Sequence, residues 1–171
     1  VREDRWDQLR IIDRKIITIN SELFNKNILI LGFGRIGKEL SKRCKAFGMQ
    51  VFVYDPYIDN QVIEDYRLKK INTIDEGVAL ADYLSIHIPL SSETKNLIDN
   101  KIIRKMKKNA FIINTARGGI INENDLNEAL SNDVIAGAGI DVFNEEPPNE
   151  DNPLLKNPKV VLTPHTAALT E

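Results

Sequence analysis

Short apolar runs alternate with amphipathic stretches along most of this 171-residue chain, and that alternation leaves few folds open. NILIL (27–31), QVFVY (50–54), AFIIN (110–114), VIAGAGID (134–141) and KVVLT (159–163) are largely apolar, and YLSIHI (83–88) alternates. Each is the length of one strand. Between them lie helical patterns. RIGKELSKRCKAF (35–47) places Ile36, Leu40, Cys44 and Phe47 on one predicted face, and Gly48 then ends the helix. ENDLNEALSN (123–132) predicts a second helix, whereas EDYRLKK (64–70) has no apolar run of its own. Strands apolar on both faces, separated by helices, predict a parallel sheet covered on both sides. The expectation is a doubly wound α/β domain of three layers, with right-handed crossovers. In such sheets a ligand lies beyond the carboxyl ends of the strands.

Other classes find little support. Basic and acidic residues number 23 and 25, so no strongly basic surface invites nucleic acid or an anionic membrane. No apolar run approaches the length that spans a bilayer. One cysteine and two histidines cannot form an internal disulfide or a metal cluster, so no metal is expected. A lone cysteine fits a reducing, cytoplasmic setting. Residues 1–20 are charged and helix-like and read as a hinge helix and linker, with Trp6 packing the hinge; 21–171 form the expected domain.

LILGFGRIGKEL places Gly32, Gly34 and Gly37 in the spacing G-x-G-x-x-G, after a predicted strand and before a predicted helix. In that context Gly32 makes a tight turn, Gly34 lets a pyrophosphate approach the backbone, and Gly37 lets the helix sit close to the sheet. The helix start offers free N–H groups and partial positive charge, with Arg35 in reach of the same phosphates. The second strand ends FVYDP, which puts Asp55 eighteen residues after Gly37. A carboxylate there accepts hydrogen bonds from an adenosine ribose and repels a 2′-phosphate, favouring NAD over NADP. The bland alternative makes Asp55 a turn former before Pro56.

Three further strand ends carry chemistry. AFIIN runs into Arg117; the strand ending AGAGID delivers Asp141 and, five residues on, Glu146; VVLTPH delivers His165. Arginine grips a carboxylate in bidentate fashion. Histidine shuttles protons near neutral pH, and a nearby glutamate would favour its charged form and fix its orientation. His87, with no arginine or carboxylate offered beside it, reads as loop or core, and Cys44 as a small buried hydrophobe.

LGFGRIG, YDPY, ADYLSIHIPLSSET, INTARGG, DVFNEEPP and TPH occur together in one order, and in this the chain resembles the D-2-hydroxyacid dehydrogenases over residues 21–171. The resemblance implies a Rossmann domain that binds NAD and a site for a small 2-hydroxy or 2-oxo acid. It implies Arg117 on the substrate carboxylate and oxo group, His165 as general acid/base, and Glu146 as its partner. Asp141 would hold the nicotinamide carboxamide. Arg35 and Ile36 would meet the pyrophosphate and Asp55 the ribose, with Ile88, Pro89, Thr115 and Ala116 lining the cofactor. Glu146 argues against the formate dehydrogenase branch, while YDPY and EEPP lean toward the phosphoglycerate dehydrogenase-like branch. Family members are about twice this length and usually dimerise through this domain, so the expectation is a homodimeric cofactor domain with little turnover alone. Two rivals share the glycine loop: an NAD(H)-sensing module similar to the C-terminal-binding corepressors, which also keeps Arg, Glu and His, and a methyltransferase-type nucleotide domain, which leaves them unexplained.

Overall fold

The computed structural model describes residues 22–169. The expected hinge helix and Trp6 lie outside them. The elements are β1 (Asn27–Leu31), α1 (Arg35–Ala46), β2 (Gln50–Tyr54), α2 (Asn60–Asp65), β3 (Lys69–Lys70), α3 (Ile74–Leu80) and β4 (Tyr83–Ile86). They continue with α4 (Asn100–Ile103), β5 (Phe111–Asn114), α5 (Glu123–Ser131), β6 (Gly137–Ile140), a 3-10 turn at Pro153–Lys156, and β7 (Val160–Leu162). All seven strands are parallel, in the order β3-β2-β1-β4-β5-β6-β7. The direction of winding reverses between β1 and β4, which makes the sheet doubly wound and opens a crevice there.

Alternate residues of β1 feed opposite cores. Leu29 and Leu31 join Leu84, Ile86, Ile112 and Ile140 on one face, and Ile28 and Ile30 join Phe33, Cys44, Val51 and Val53 on the other. Burial on both faces is why the strands read as continuous apolar runs. Each fully buried Leu or Ile contributes about 1.5–3 kcal/mol over leaving it in water.

Register places the chemistry. Leu31 pairs with Tyr54 and Ile86, Ile86 with Asn114, Asn114 with Ile140, and Ile140 with Leu162. The strand ends therefore form one level row, and Gly32, Asp55, His87, Thr115, Asp141 and Thr163 all leave the sheet along one edge.

Three expectations change. The two-residue β3 lies within EDYRLKK, paired to Phe52 and Val53 at the sheet margin. A margin strand needs backbone partners on one side only, and its lysines discourage further pairing, so it has no apolar signature. YLSIHI is a strand only to Ile86; His87 and Ile88 lie past its end. The buried stripe of α1 is Gly37, Ser41 and Cys44, while Ile36 and Phe47 are 66% and 61% exposed. A Cβ on Gly37 would lie 2.3 Å from the Gly32 carbonyl oxygen, so the helix turns its smallest residue to the backbone and swings Ile36 toward the crevice. Cys44 is buried as expected. The short helices α2, α3 and α4 announce themselves only through their caps, with Asp59, Thr73 and Asp99 accepting from Gln61, Glu76 and Ile102 N–H groups.

Candidate active site

Gly32 has φ +97°, and a Cβ there would lie 2.7 Å from the His87 carbonyl oxygen, so only glycine makes this turn without strain. Gly34 is the opposite case: nothing lies within 4 Å of where its Cβ would be. That open space lies beside an α1 start with no side-chain cap and no acidic residue in its first turn. Unspent N–H groups and the helix dipole suit an anion there. Arg35 and Ile36 are exposed and, with His87, line a hollow of about 680 Å³ against this loop.

Asp55 makes the turn-forming bond expected of the simpler alternative and a second bond to the glycine loop. One carboxylate oxygen accepts from Tyr57 N–H at 2.9 Å, the turn-forming bond, and the other from Phe33 N–H at 2.8 Å, tying it to the glycine loop. Each oxygen keeps a lone pair for ribose hydroxyls. Asp55, Ile88 and Pro89 line a cavity of about 650 Å³ whose lining, among the described residues, includes no lysine or arginine. Open space at Gly34, an uncapped helix start and a cavity lined by carboxylates suit a dinucleotide without a 2′-phosphate.

At the other end of the edge, the Asn114 side chain accepts from Ala116 N–H at 3.0 Å and donates to the Arg117 carbonyl at 2.9 Å. These bonds fold residues 114–117 into a turn and hold Thr115, Ala116 and Arg117 past the sheet. Arg117 is exposed, and its guanidinium donates to the Ala116 carbonyl at 2.6 Å. Among the described residues it forms no ion pair with a carboxylate.

Glu146 and His165 do meet, at 2.7 Å between Oε2 and Nδ1. Glu146 Oε1 accepts from Phe143 N–H at 3.0 Å. The hydrogen bond from His165 holds the Glu146 carboxyl below its ordinary pKa, with the Phe143 N–H adding to the effect. An ionised carboxylate only accepts, so Nδ1 carries the hydrogen and Nε2 is left for proton exchange.

His165 has φ +54°, the left-handed region, which costs an L-residue about 1–2 kcal/mol. Asp141 holds it there. Its backbone carbonyl accepts from His165 N–H at 2.9 Å, and its buried carboxylate accepts from the Thr163 hydroxyl and from Thr166 and Ala167 N–H groups at 2.9 and 3.1 Å. Burial alone would raise the Asp141 pKa; the Thr163, Thr166 and Ala167 bonds outweigh it and hold the group low. A folded-state pKa below the unfolded one contributes stability that is present above about pH 4 and lost as pH falls through the lower folded value. Asp141→Asn puts an amide donor against those donors, and about 2–3 kcal/mol of stability should be lost at pH 7. Urea midpoints should show that gap narrowing below pH 4; a constant gap would mean that the carboxylate charge contributes nothing.

Three residues at this site escape a reading based on motifs. Asn114 is visible only as a polar residue closing an apolar strand. Glu123, in the first turn of α5, accepts from Asn144 N–H at 2.6 Å and Asn152 Nδ2 at 2.7 Å, clamping both ends of the loop that carries Glu146. Gly118 touches the Phe143 backbone so closely that a Cβ would lie 1.7 Å from its carbonyl oxygen. His87 is half-buried, with Nε2 2.8 Å from the Ser85 hydroxyl, and burial lowers its pKa.

The family model described as "D-isomer specific 2-hydroxyacid dehydrogenase, NAD binding domain" matches residues 1–167. The chain is 47% identical over 171 residues to a D-3-phosphoglycerate dehydrogenase of Methanocaldococcus jannaschii, covering all of this chain and 31% of that protein. It is 46% identical over 157 residues to the Bacillus subtilis enzyme of that name, covering 90% of this chain and 29% of that one. The chain thus spans about a third of the length of these relatives. The D-isomer specific 2-hydroxyacid dehydrogenase of Lactobacillus delbrueckii ssp. bulgaricus, in its NAD-complexed form, superposes with a TM-score of 0.84 at 31% identity, covering 97% of this chain and 54% of that one. This chain belongs to the D-isomer specific 2-hydroxyacid dehydrogenase family, as its NAD-binding domain.

Proposed function

We propose that this domain serves an oxidoreductase that moves hydride between NAD(H) and a small D-2-hydroxy or 2-oxo acid, with 3-phosphoglycerate the favoured candidate. The observation that carries the reading is the 2.7 Å Glu146–His165 pair, held at the sheet edge that also presents Arg117. The names of the two bacterial and archaeal relatives favour the phosphorylated substrate.

Gly32, Gly34, Arg35, Ile36 and the close-packed Gly37 would cradle the pyrophosphate and Asp55 the adenosine ribose. Ile88, Pro89, Thr115 and Ala116 would flank the dinucleotide, and Asp141 would add a carboxamide contact to its work on the His165 loop. NAD supplies the carbon that accepts or returns hydride. His165 takes the 2-hydroxyl proton at Nε2 as hydride leaves C2, and returns it in the reverse direction. Glu146 keeps the ring oriented and offsets the charge it acquires. Arg117, released from the Ala116 carbonyl, grips the substrate carboxylate and stabilises charge on the oxo oxygen.

The test is calorimetric titration of this chain with NADH and NADPH, then turnover of 3-phosphoglycerate by a chain that pairs it with a substrate domain. Micromolar NADH binding, much weaker NADPH binding and enzyme-like turnover are expected. NADH binding without turnover of any 2-oxo acid would instead favour a sensing module. The same reading has the protein act as a homodimer in the reducing cytoplasm. The free Cys44 and the exposed Phe24, Phe47 and Val161 support it. A monomeric mass by sedimentation, or an extracellular location of the native protein, would overturn that part.

A further inference from the structure

The cavity beside Asp55 has an apolar floor, including Leu31, Ile74 and Leu97, and two carboxylates in its lining, Asp55 and Glu93. They arrive from different strands, Asp55 from the end of β2 and Glu93 from the loop after β4. Glu93 is held in place. Its turn is closed by Ser91 N–H to Thr94 Oγ1 at 2.7 Å, by Thr94 Oγ1 to the Pro89 carbonyl at 2.7 Å, and by Lys95 N–H to the Ser91 carbonyl at 3.0 Å. From the Asp55 side Tyr57, 82% exposed, reaches across and donates its hydroxyl to Glu93 Oε2 at 3.1 Å. The adjacent Glu93 carboxylate raises the phenol pKa, so Tyr57 remains a donor across the neutral range.

An exposed aromatic that spends its one hydroxyl bridging two loops is not there to fill a core. We propose that Glu93, anchored by Tyr57, is a second charge filter of the adenosine subsite, which acts with Asp55 to reject a 2′-phosphorylated dinucleotide. This rests on the reading that the cavity takes the adenosine end of NAD. A 2′-phosphate brings close to two negative charges at neutral pH. With Asp55 alone, that phosphate could rotate away into the cavity. With Glu93 on a second loop lining the cavity, and no lysine or arginine in the lining among the described residues, a phosphate turned away from Asp55 stays in the field of a second carboxylate. The diol of NAD meets carboxylates it can donate to.

Glu93→Gln separates charge from structure, because the amide oxygen still accepts from Tyr57 while the charge is gone. Calorimetric titration of this chain should show NADPH binding about five- to tenfold tighter in the variant, with NADH within about twofold and the gain shrinking as salt rises. An unchanged ratio of the two affinities, in a chain that still prefers NADH, would overturn the filter and leave the NAD reading standing. Equal weakening of both ligands would make Glu93 a brace for its turn and overturn the filter as well. If the unaltered chain binds neither dinucleotide, the cavity is not the adenosine subsite and both readings fall.

Discussion

His165→Gln, in a chain that joins this domain to a substrate domain, is expected to lower turnover by about two to four orders of magnitude while leaving NADH affinity within about twofold. Glutamine can occupy the space of the imidazole and still donate to Glu146, but it cannot take up and return a proton near neutral pH. The backbone there is already committed to the left-handed region, held by the Asp141 carbonyl and carboxylate rather than by the side chain. The loss should therefore lie in kcat and not in folding. Glu146→Gln should show a smaller loss, since the imidazole remains to exchange the proton, although the single amide oxygen can serve only one of Phe143 N–H and Nδ1 and the offsetting charge disappears. Steady-state kinetics with paired NADH titrations decide the matter. A His165→Gln enzyme retaining more than about a tenth of its turnover would place the proton transfer elsewhere.

The second large effect is structural. Gly118→Ala would drive a methyl group to 1.7 Å from the Phe143 carbonyl oxygen and 2.1 Å from its carbon, and both are backbone atoms. No side chain can swing aside, so the Arg117 turn and the Glu146 loop must part. The expected cost is at least about 3 kcal/mol in urea unfolding, at or beyond the upper end for overpacked sites. The separation would also carry Arg117 away from the Glu146–His165 pair. Gly139→Ala is the control. Its Cβ would find nothing nearer than 4.0 Å, so stability should change by less than about 1 kcal/mol. Equal effects in the two variants would show that loss of glycine as such, and not the contact with Phe143, is what matters.

The long apolar strands were legible because a strand buried on both faces must be apolar at every position, as Ile28 to Leu31 are. Gly32, Gly34 and Gly37 were legible because their spacing follows from local geometry between one strand and one helix. β3 was not, because a margin strand of two lysines needs no apolar residue. The buried face of α1 departs from its apolar pattern because the closest approach to the sheet, at Gly37, outweighs the burial of Ile36 and Phe47.

By itself the sequence determined the long apolar strands, the helices α1 and α5, the glycine turn, and which polar residues stand at strand ends. Those properties depend on neighbours within a few positions, where backbone sterics and hydrophobic periodicity act directly. Only the tertiary structure decided which of those residues meet. The level register of the strand ends brings Glu146 to His165, stations Asp141 behind the His165 loop, and sets Tyr57 and Glu93 on facing loops of one cavity. Contacts between residues nineteen to thirty-six positions apart follow from how parallel strands align, and no local pattern carries that alignment.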